Sequence, residues 1–203
     1  MSVNPSDRVA RSVTAYARRA QIISATIDVI AELGYGQASF ARIAERAGLS
    51  STRLISYHFA GKDELISAVA QDVIASMGDH LAQRVGAETS APAMLRAYIE
   101  GVVEFTAAHR ARMKALMEIF LGGGLQNVAS TDQGGIGYVE AILRKGQTDG
   151  EFRDFDPRVV ATAVQRAVEG LPFLLESIPD LDCTQYGREL VTLFELGTRR
   201  SRK

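Results

Sequence analysis

With a single cysteine, Cys183, the chain can form no intrachain disulfide and no four-cysteine metal site, which suits a reducing compartment. Long apolar runs are missing as well. None approaches the roughly 18 residues of a membrane span, and the opening MSVNPSDRVARSVTAYARRA has no apolar stretch of the secretory kind. The expectation is a soluble cytoplasmic protein with no membrane partner. A dominant charge sign is also absent: 23 Lys+Arg stand against 24 Asp+Glu, a net charge of -1, so nothing global marks a nucleic-acid partner. What is present in quantity is apolar side chain, 46% of 203 residues, enough for one sizeable core or two small ones. Disordered, collagenous and disulfide-framed chains are excluded.

Charge is unevenly spread. Residues 1–67 carry 8 basic and 6 acidic residues, a balance of +2, and the remainder carries -3. Periodicity predicts helix almost throughout, because no stretch alternates apolar and polar residues long enough to make a strand. Residues up to about Ala15 read as a mobile arm. A first helix is predicted from near Tyr16, with Ile23, Ile27, Ile30 and Leu33 as its stripe and Gly34 and Gly36 as its stop. Ser39 caps a second, short helix through Arg46. Gly48 turns the chain, and Ser50 then caps a third short helix toward Phe59. Two short helices joined by a three-residue turn make a helix-turn-helix, with Ala44 at the crossing and Ile43, Leu49, Leu54 and Ile55 between the helices.

Asp63 and Glu64 open a fourth helix, about Asp63 to Leu81, which links residues 1–62 to a second body, residues 63–203. The turn-rich GAETSAP, Gly86 to Pro92, precedes helices at 93–108 and 110–121. Gly122 to Gly135 reads as a loop, followed by a helix over 136–147. Asp156-Pro157 starts another helix that runs to about Ser177 with a kink at Pro172, and Asp182 caps a last one over 184–199. The fold class is therefore all-α, an N-terminal three-helix domain carrying the helix-turn-helix followed by a helical C-terminal domain, about nine helices in all.

The stretch SFARIAERAGLSSTRLISYHFAGKDELI, Ser39 to Ile66, resembles the TetR family of bacterial transcriptional regulators. It is similar to that family's helix-turn-helix and to the aromatic-x-phenylalanine, lysine, acidic, leucine signature that follows it, here Tyr57, Phe59, Lys62, Asp63, Glu64 and Leu65. GEFRDFDP, Gly150 to Pro157, is similar to a turn that precedes the family's eighth helix. The chain departs from the pattern in one respect. Gly48 to Phe59 is one residue longer than the common spacing, and Ser56 stands where a phosphate-contacting tyrosine is often found. Tyr57 or His58 then takes that contact. The resemblance implies a repressor that binds a palindromic double-stranded DNA operator as a homodimer and is released by a small-molecule inducer. It also implies a bacterial, cytoplasmic protein that is nucleoid-associated when bound to DNA.

An α-helix fits the major groove, where exposed side chains read base edges. Ser50 lies at the start of the third helix, and Ser51, Thr52, Arg53, Ser56 and Tyr57 are the candidate readers. Arg53 is either a bidentate guanine contact or a solvated surface arginine. Ser39, Arg42, Tyr57, His58 and Lys62 suit phosphates. Structural roles compete for some of them: His58 as a satisfied histidine, Tyr57 and Phe59 as core. Arg8, Arg11, Arg18 and Arg19 either reach DNA or belong to a solvated tail, and the end RRSRK reads as a solvated helix terminus.

In the larger body, Met94, Tyr98, Phe105, Met113, Met117, Phe120 and Phe173, with the polar Gln165, Arg166 and Glu169, are either core or the lining of a ligand pocket between helices. The helix from Pro157 is apolar on more than one face. With the last helix it offers a dimer interface through Val160, Val164, Val168, Leu171, Leu190 and Phe194. An enzyme is the weaker class, since His58, His80 and His109 have no metal-ligand spacing and no phosphate-cradling loop follows a strand. No cofactor or metal is expected. A helical small-molecule-binding protein that does not touch DNA is the remaining alternative.

Overall fold

The computed structural model describes residues 5–124 and 128–200, with backbone alone for 5–13 and 128–133. Its helices are α1 (Pro5–Leu33), α2 (Phe40–Arg46), α3 (Arg53–His58), α4 (Lys62–Gly86), α5 (Ala91–Ala108), α6 (Arg110–Leu121), α7 (Val128–Thr148), α8 (Pro157–Glu169), α9 (Leu171–Ser177) and α10 (Cys183–Thr198). A 3-10 turn spans Tyr35–Gln37. Counting the broken pair α8 and α9 as one helix gives nine among the described residues, close to the number expected. Among the described residues no helix is long and apolar enough to cross a membrane.

The chain packs as two compact units. The first holds the helices up to Ile74 in α4, together with α6 from Ala111. Its core joins Ile22 and Ile30 of α1, Ile43 of α2, Ile55 and Phe59 at α3, and Leu65, Ile66 and Val73 of α4 to Ala115 and Ile119 of α6. Each fully buried Ile, Leu or Phe contributes about 1.5–3 kcal/mol relative to exposure. The sequence boundary at residue 62 falls inside this unit, because the start of α4 and most of α6 complete its core.

Several expectations shift here. Helix α1 covers Pro5–Leu33, so helix extends well before Tyr16. The proposed arm is thus largely helical backbone; its first four residues, the side chains of Arg8 and Arg11, and the end of RRSRK lie outside the described residues. The buried stripe of α1 is centred on Ile22, Ile27, Val29 and Ile30, while Leu33 is exposed. Between α2 and α3 the turn takes six residues, not three. Ser50 caps nothing. Thr52 occupies the N-cap without a side-chain bond, and the Arg53 amide donates to Ser51 Oγ at 3.1 Å. Gly48 has φ +63°, the left-handed turn expected of it.

The second unit holds the rest of α4, then α5, α7, α8, α9 and α10. Leu95, Tyr98 and Ile99 of α5 pack with Val139 and Leu143 of α7, Ala161, Val164 and Val168 of α8 and Val191 of α10. Helix α7 begins at Val128, so the loop expected through Gly135 is shorter. Gly135 is a contact point: a Cβ there would lie 2.8 Å from Gln165 Nε2. The kink expected at Pro172 is a full break at Gly170, since Pro172 has no amide to continue the ladder and its ring crowds the preceding turn.

Capping at Asp156 and Asp182 follows the sequence reading; Asp156 Oδ1 accepts from Arg158 and Val159, and Asp182 Oδ1 from Gln185. The segment after α7 is tied down closely. The Glu151 and Phe152 amides donate to Gly146 O at 2.8 and 3.0 Å, the Arg153 amide donates to Thr198 O at 3.0 Å, and Phe152 bridges to Arg199.

Candidate nucleic-acid interface

Two short helices cannot hold their own crossing angle, and α1 supplies the missing restraint. Arg19 donates to His58 O at 2.7 Å, lies 4.1 Å from the Phe59 ring centroid, and pairs with Glu64 at 3.4 Å. Gln21 Nε2 donates to Ala47 O at 2.7 Å. The two contacts satisfy the C-terminal carbonyls of α3 and α2 respectively. Glu64 reaches back to accept from the Ala60 amide at 2.7 Å. That bond, with Arg19 adding, holds the Glu64 carboxyl below the usual carboxylate range. Arg19, read from the sequence as arm or tail, is instead a structural clamp, and Gln21 was not singled out. Both lie inside the helix expected from Tyr16, and no local spacing signals acceptors that are 39 and 26 residues away.

What remains free is the stretch expected to read bases. Ser50, Ser51, Thr52, Arg53 and Ser56 are all exposed on one short stretch. Tyr57 is 82% exposed, edge-on to the His58 ring at 5.1 Å. His58 is half-buried. Arg53 is the one arginine among this unit's described side chains with no hydrogen bond or ion pair. Arg18 donates to Gln21, Arg42 to Gln37, Arg46 to Glu32, and Arg112 pairs with Asp72. Ser39 caps α2 through Arg42 N. Lys62 opens α4 with its Nζ 4.8 Å from the Tyr35 ring centroid. Among the described residues no group of His, Cys, Asp or Glu could hold a metal ion.

The family model "Bacterial regulatory proteins, tetR family" matches residues 22–69, the span from α1 into α4. The HTH-type transcriptional regulator BetI of Cronobacter sakazakii is 31% identical over 190 residues, covering 85% of this chain and 90% of that protein. The chain belongs to the TetR family. It is a transcriptional regulator, not an enzyme. BetI 1 of Chromohalobacter salexigens is 36% identical over 98 residues, 48% of each chain. A tetR-family regulator from Rhodococcus RHA1 shares the fold at TM-score 0.78 and 20% identity, covering 91% of this chain and 98% of that one. So does FadR of Bacillus subtilis, solved in complex with stearoyl-CoA, at TM-score 0.75 and 19% identity, with 85% and 95% coverage.

In this TetR-family chain the expected pocket residues are divided between the units. Met113, Met117 and Phe120 belong to the first, where Met113 packs on the core and Phe120 is exposed. The others belong to the second. Tyr98, Phe105 and Gln165 are buried, Met94 and Glu169 are half-buried, and Arg166 and Phe173 are exposed. Four of these form a hydrogen-bonded chain: Tyr98 donates to Gln165 at 2.6 Å, Gln165 donates to Glu169 at 2.7 Å, and Arg166 pairs with Glu169. Burial, with the Glu169 carboxylate and Tyr138 adding, pushes the Tyr98 hydroxyl above the ordinary tyrosine value, so it stays a neutral donor. An open groove of about 440 Å³ lies elsewhere, between Arg84, Glu88, Ser90, Pro92, Ala93, Arg96, Ala97 and Glu100. None of the ten expected lining residues borders it.

The dimer candidates need correction. Val164, Val168 and Leu171 are buried in the chain's own core, where no partner can reach them, and Val160, Leu190 and Phe194 are half-buried. The large apolar residues left exposed are Val159 on α8 and Leu193 and Leu196 on α10, with Phe173 and Leu174 on α9. Helical phase explains the difference: the stripe with the larger residues turned inward.

Proposed function

We propose that this TetR-family regulator is a cytoplasmic repressor that binds a roughly palindromic operator as a homodimer and is released by a small-molecule inducer. The observation that carries the reading is Arg53, exposed and without an intramolecular partner while its neighbouring arginines are engaged. An unpaired guanidinium on a major-groove helix suits the O6 and N7 of guanine. Ser51, Thr52 and Ser56 are the adjacent readers, and Ser39, Arg42, Tyr57, His58 and Lys62 hold phosphates that fix the register. Two such surfaces on one dimer bind two spaced half-sites.

Dimerisation through Val159, Leu193 and Leu196 covers the apolar residues that α8 and α10 leave exposed. The inducer site is assigned to the second unit, where the chain from Tyr98 to Glu169 supplies the polar groups of an otherwise apolar body. An inducer that binds one dimer geometry better than another shifts the pair of reading helices out of register with the operator, and α4 carries the motion.

Selection of bound duplexes from a random pool, repeated at two salt concentrations, tests the reading. Enrichment of a palindrome with two spaced half-sites is expected. Retention that is weak, salt-sensitive and without sequence preference overturns it.

A further inference from the structure

The three glycines after α6 are not a slack linker. Gly124 N donates to Ile119 O at 2.9 Å and Gly123 N to Phe120 O at 3.3 Å, with Gly123 at φ +72°. This is the double-bonded cap that ends many helices, and it requires a left-handed residue at its centre. Gly122 and Gly124 are glycines for a different reason. A Cβ at Gly122 would fall 2.2 Å from Tyr35 Cδ1, and one at Gly124 would fall 2.9 Å from Tyr35 Cε2 and Cζ. The tyrosine ring therefore rests directly on the backbone of the cap. Glu118, one turn earlier on α6, accepts from the Tyr35 amide at 3.3 Å. Lys62 Nζ stands 4.8 Å from the centroid of the same ring.

We propose that Tyr35 is a positioning residue for DNA binding: seated on the Gly122–Gly124 cap, its ring holds the Lys62 ammonium where a backbone phosphate docks. A lysine carries four rotatable carbons, and fixing it costs entropy that a preformed cation–aromatic contact reduces. The ammonium keeps donors for a phosphate oxygen while its charge lies on the ring. Close by, the Glu64 carboxylate is engaged by the Ala60 amide and Arg19. The end of α6 thus belongs to the DNA-binding apparatus, although the sequence places it far from the helix-turn-helix. The proposal rests on the reading of Lys62 as a phosphate contact.

The test uses the full chain, a mixed-sequence DNA duplex and the dependence of affinity on salt, which counts phosphate contacts. Lys62→Ala should lower the log–log salt slope by about 0.9 for each bound protomer. Gly122→Ala and Tyr35→Leu should lower it equally, Gly124→Ala should lower it less, and Tyr35→Phe, which keeps the ring, should match the parent. Adding Lys62→Ala to Gly122→Ala should bring no further loss. The base preference recovered by selection should stay the same in all of them, which separates loss of position from loss of fold. A parental slope in Gly122→Ala and Tyr35→Leu, with Lys62→Ala reduced, overturns the role of Tyr35 and leaves the phosphate contact standing. A parental slope in Lys62→Ala removes the phosphate contact itself, and the proposal with it.

Discussion

The two units leave opposite kinds of surface unfinished. In the first, long-range polar contacts from α1 and α4 secure the ends of α2 and α3, and what α3 leaves free is mainly polar: Arg53, Ser56 and Tyr57. In the second, polar groups turn inward and satisfy one another from Tyr98 through Gln165 to Glu169, and what stays free on α8 and α10 is apolar: Val159, Leu193 and Leu196. On the proposed function, a charged, hydrated partner completes the one surface and a like helical surface completes the other. Neither property is visible in the overall charge, which nearly cancels.

Breaking the apolar side should have the largest effect. The pair Leu193→Asp and Leu196→Asp should give a monomer by analytical ultracentrifugation and weaken binding to a selected palindrome about 10²- to 10⁴-fold, the usual range for losing a linked second site. An intact dimer with unchanged affinity would show that α10 is not its interface. The inward polar side comes next. Gln165→Leu strands the buried Tyr98 hydroxyl and should cost about 1–3 kcal/mol in denaturant unfolding. Arg53→Ala should leave folding alone and relax discrimination at one base position by about 1–3 kcal/mol, seen as a flattened column in the selected sequence. Glu64→Ala should be the mildest. Because the folded carboxyl is held below its ordinary value, its contribution is complete above the ordinary carboxylate pKa and disappears as pH falls through the folded one. The mutant's thermal midpoint should therefore lie below the parent's at neutral pH and converge with it in acid.

Local signals carried far in this chain. Ser39, Asp156 and Asp182 cap the helices they were expected to cap, because a side-chain oxygen beside free amides acts over three residues. Of the residues expected between the two short helices, Ile43 and Ile55 are fully buried and Leu49 packs on the core, while Leu54 is exposed. Reading failed where the deciding partner was distant. The glycines read as loop up to Gly135 include Gly122 and Gly124, which lie against Tyr35, and Gly135 of α7, which lies against Gln165; neither partner is near in sequence. Arg19 looked like tail because its acceptor, His58 O, lies 39 residues away. For α8, which of two apolar stripes faces inward depends on α5 and α7, so periodicity showed the surplus without choosing the face.

The segment Gly150 to Pro157 illustrates how little a loop's name says about its dynamics. Three successive backbone amides, Glu151, Phe152 and Arg153, are bonded to the ends of two different helices, and the Phe152 ring occupies the space a side chain at Gly146 would need. Those amide protons are therefore shielded from solvent by the same events that hold α7 and α10 together. In a hydrogen-exchange experiment they should release their protons at the pace of the helices they join, as part of one cooperative opening rather than as a surface turn.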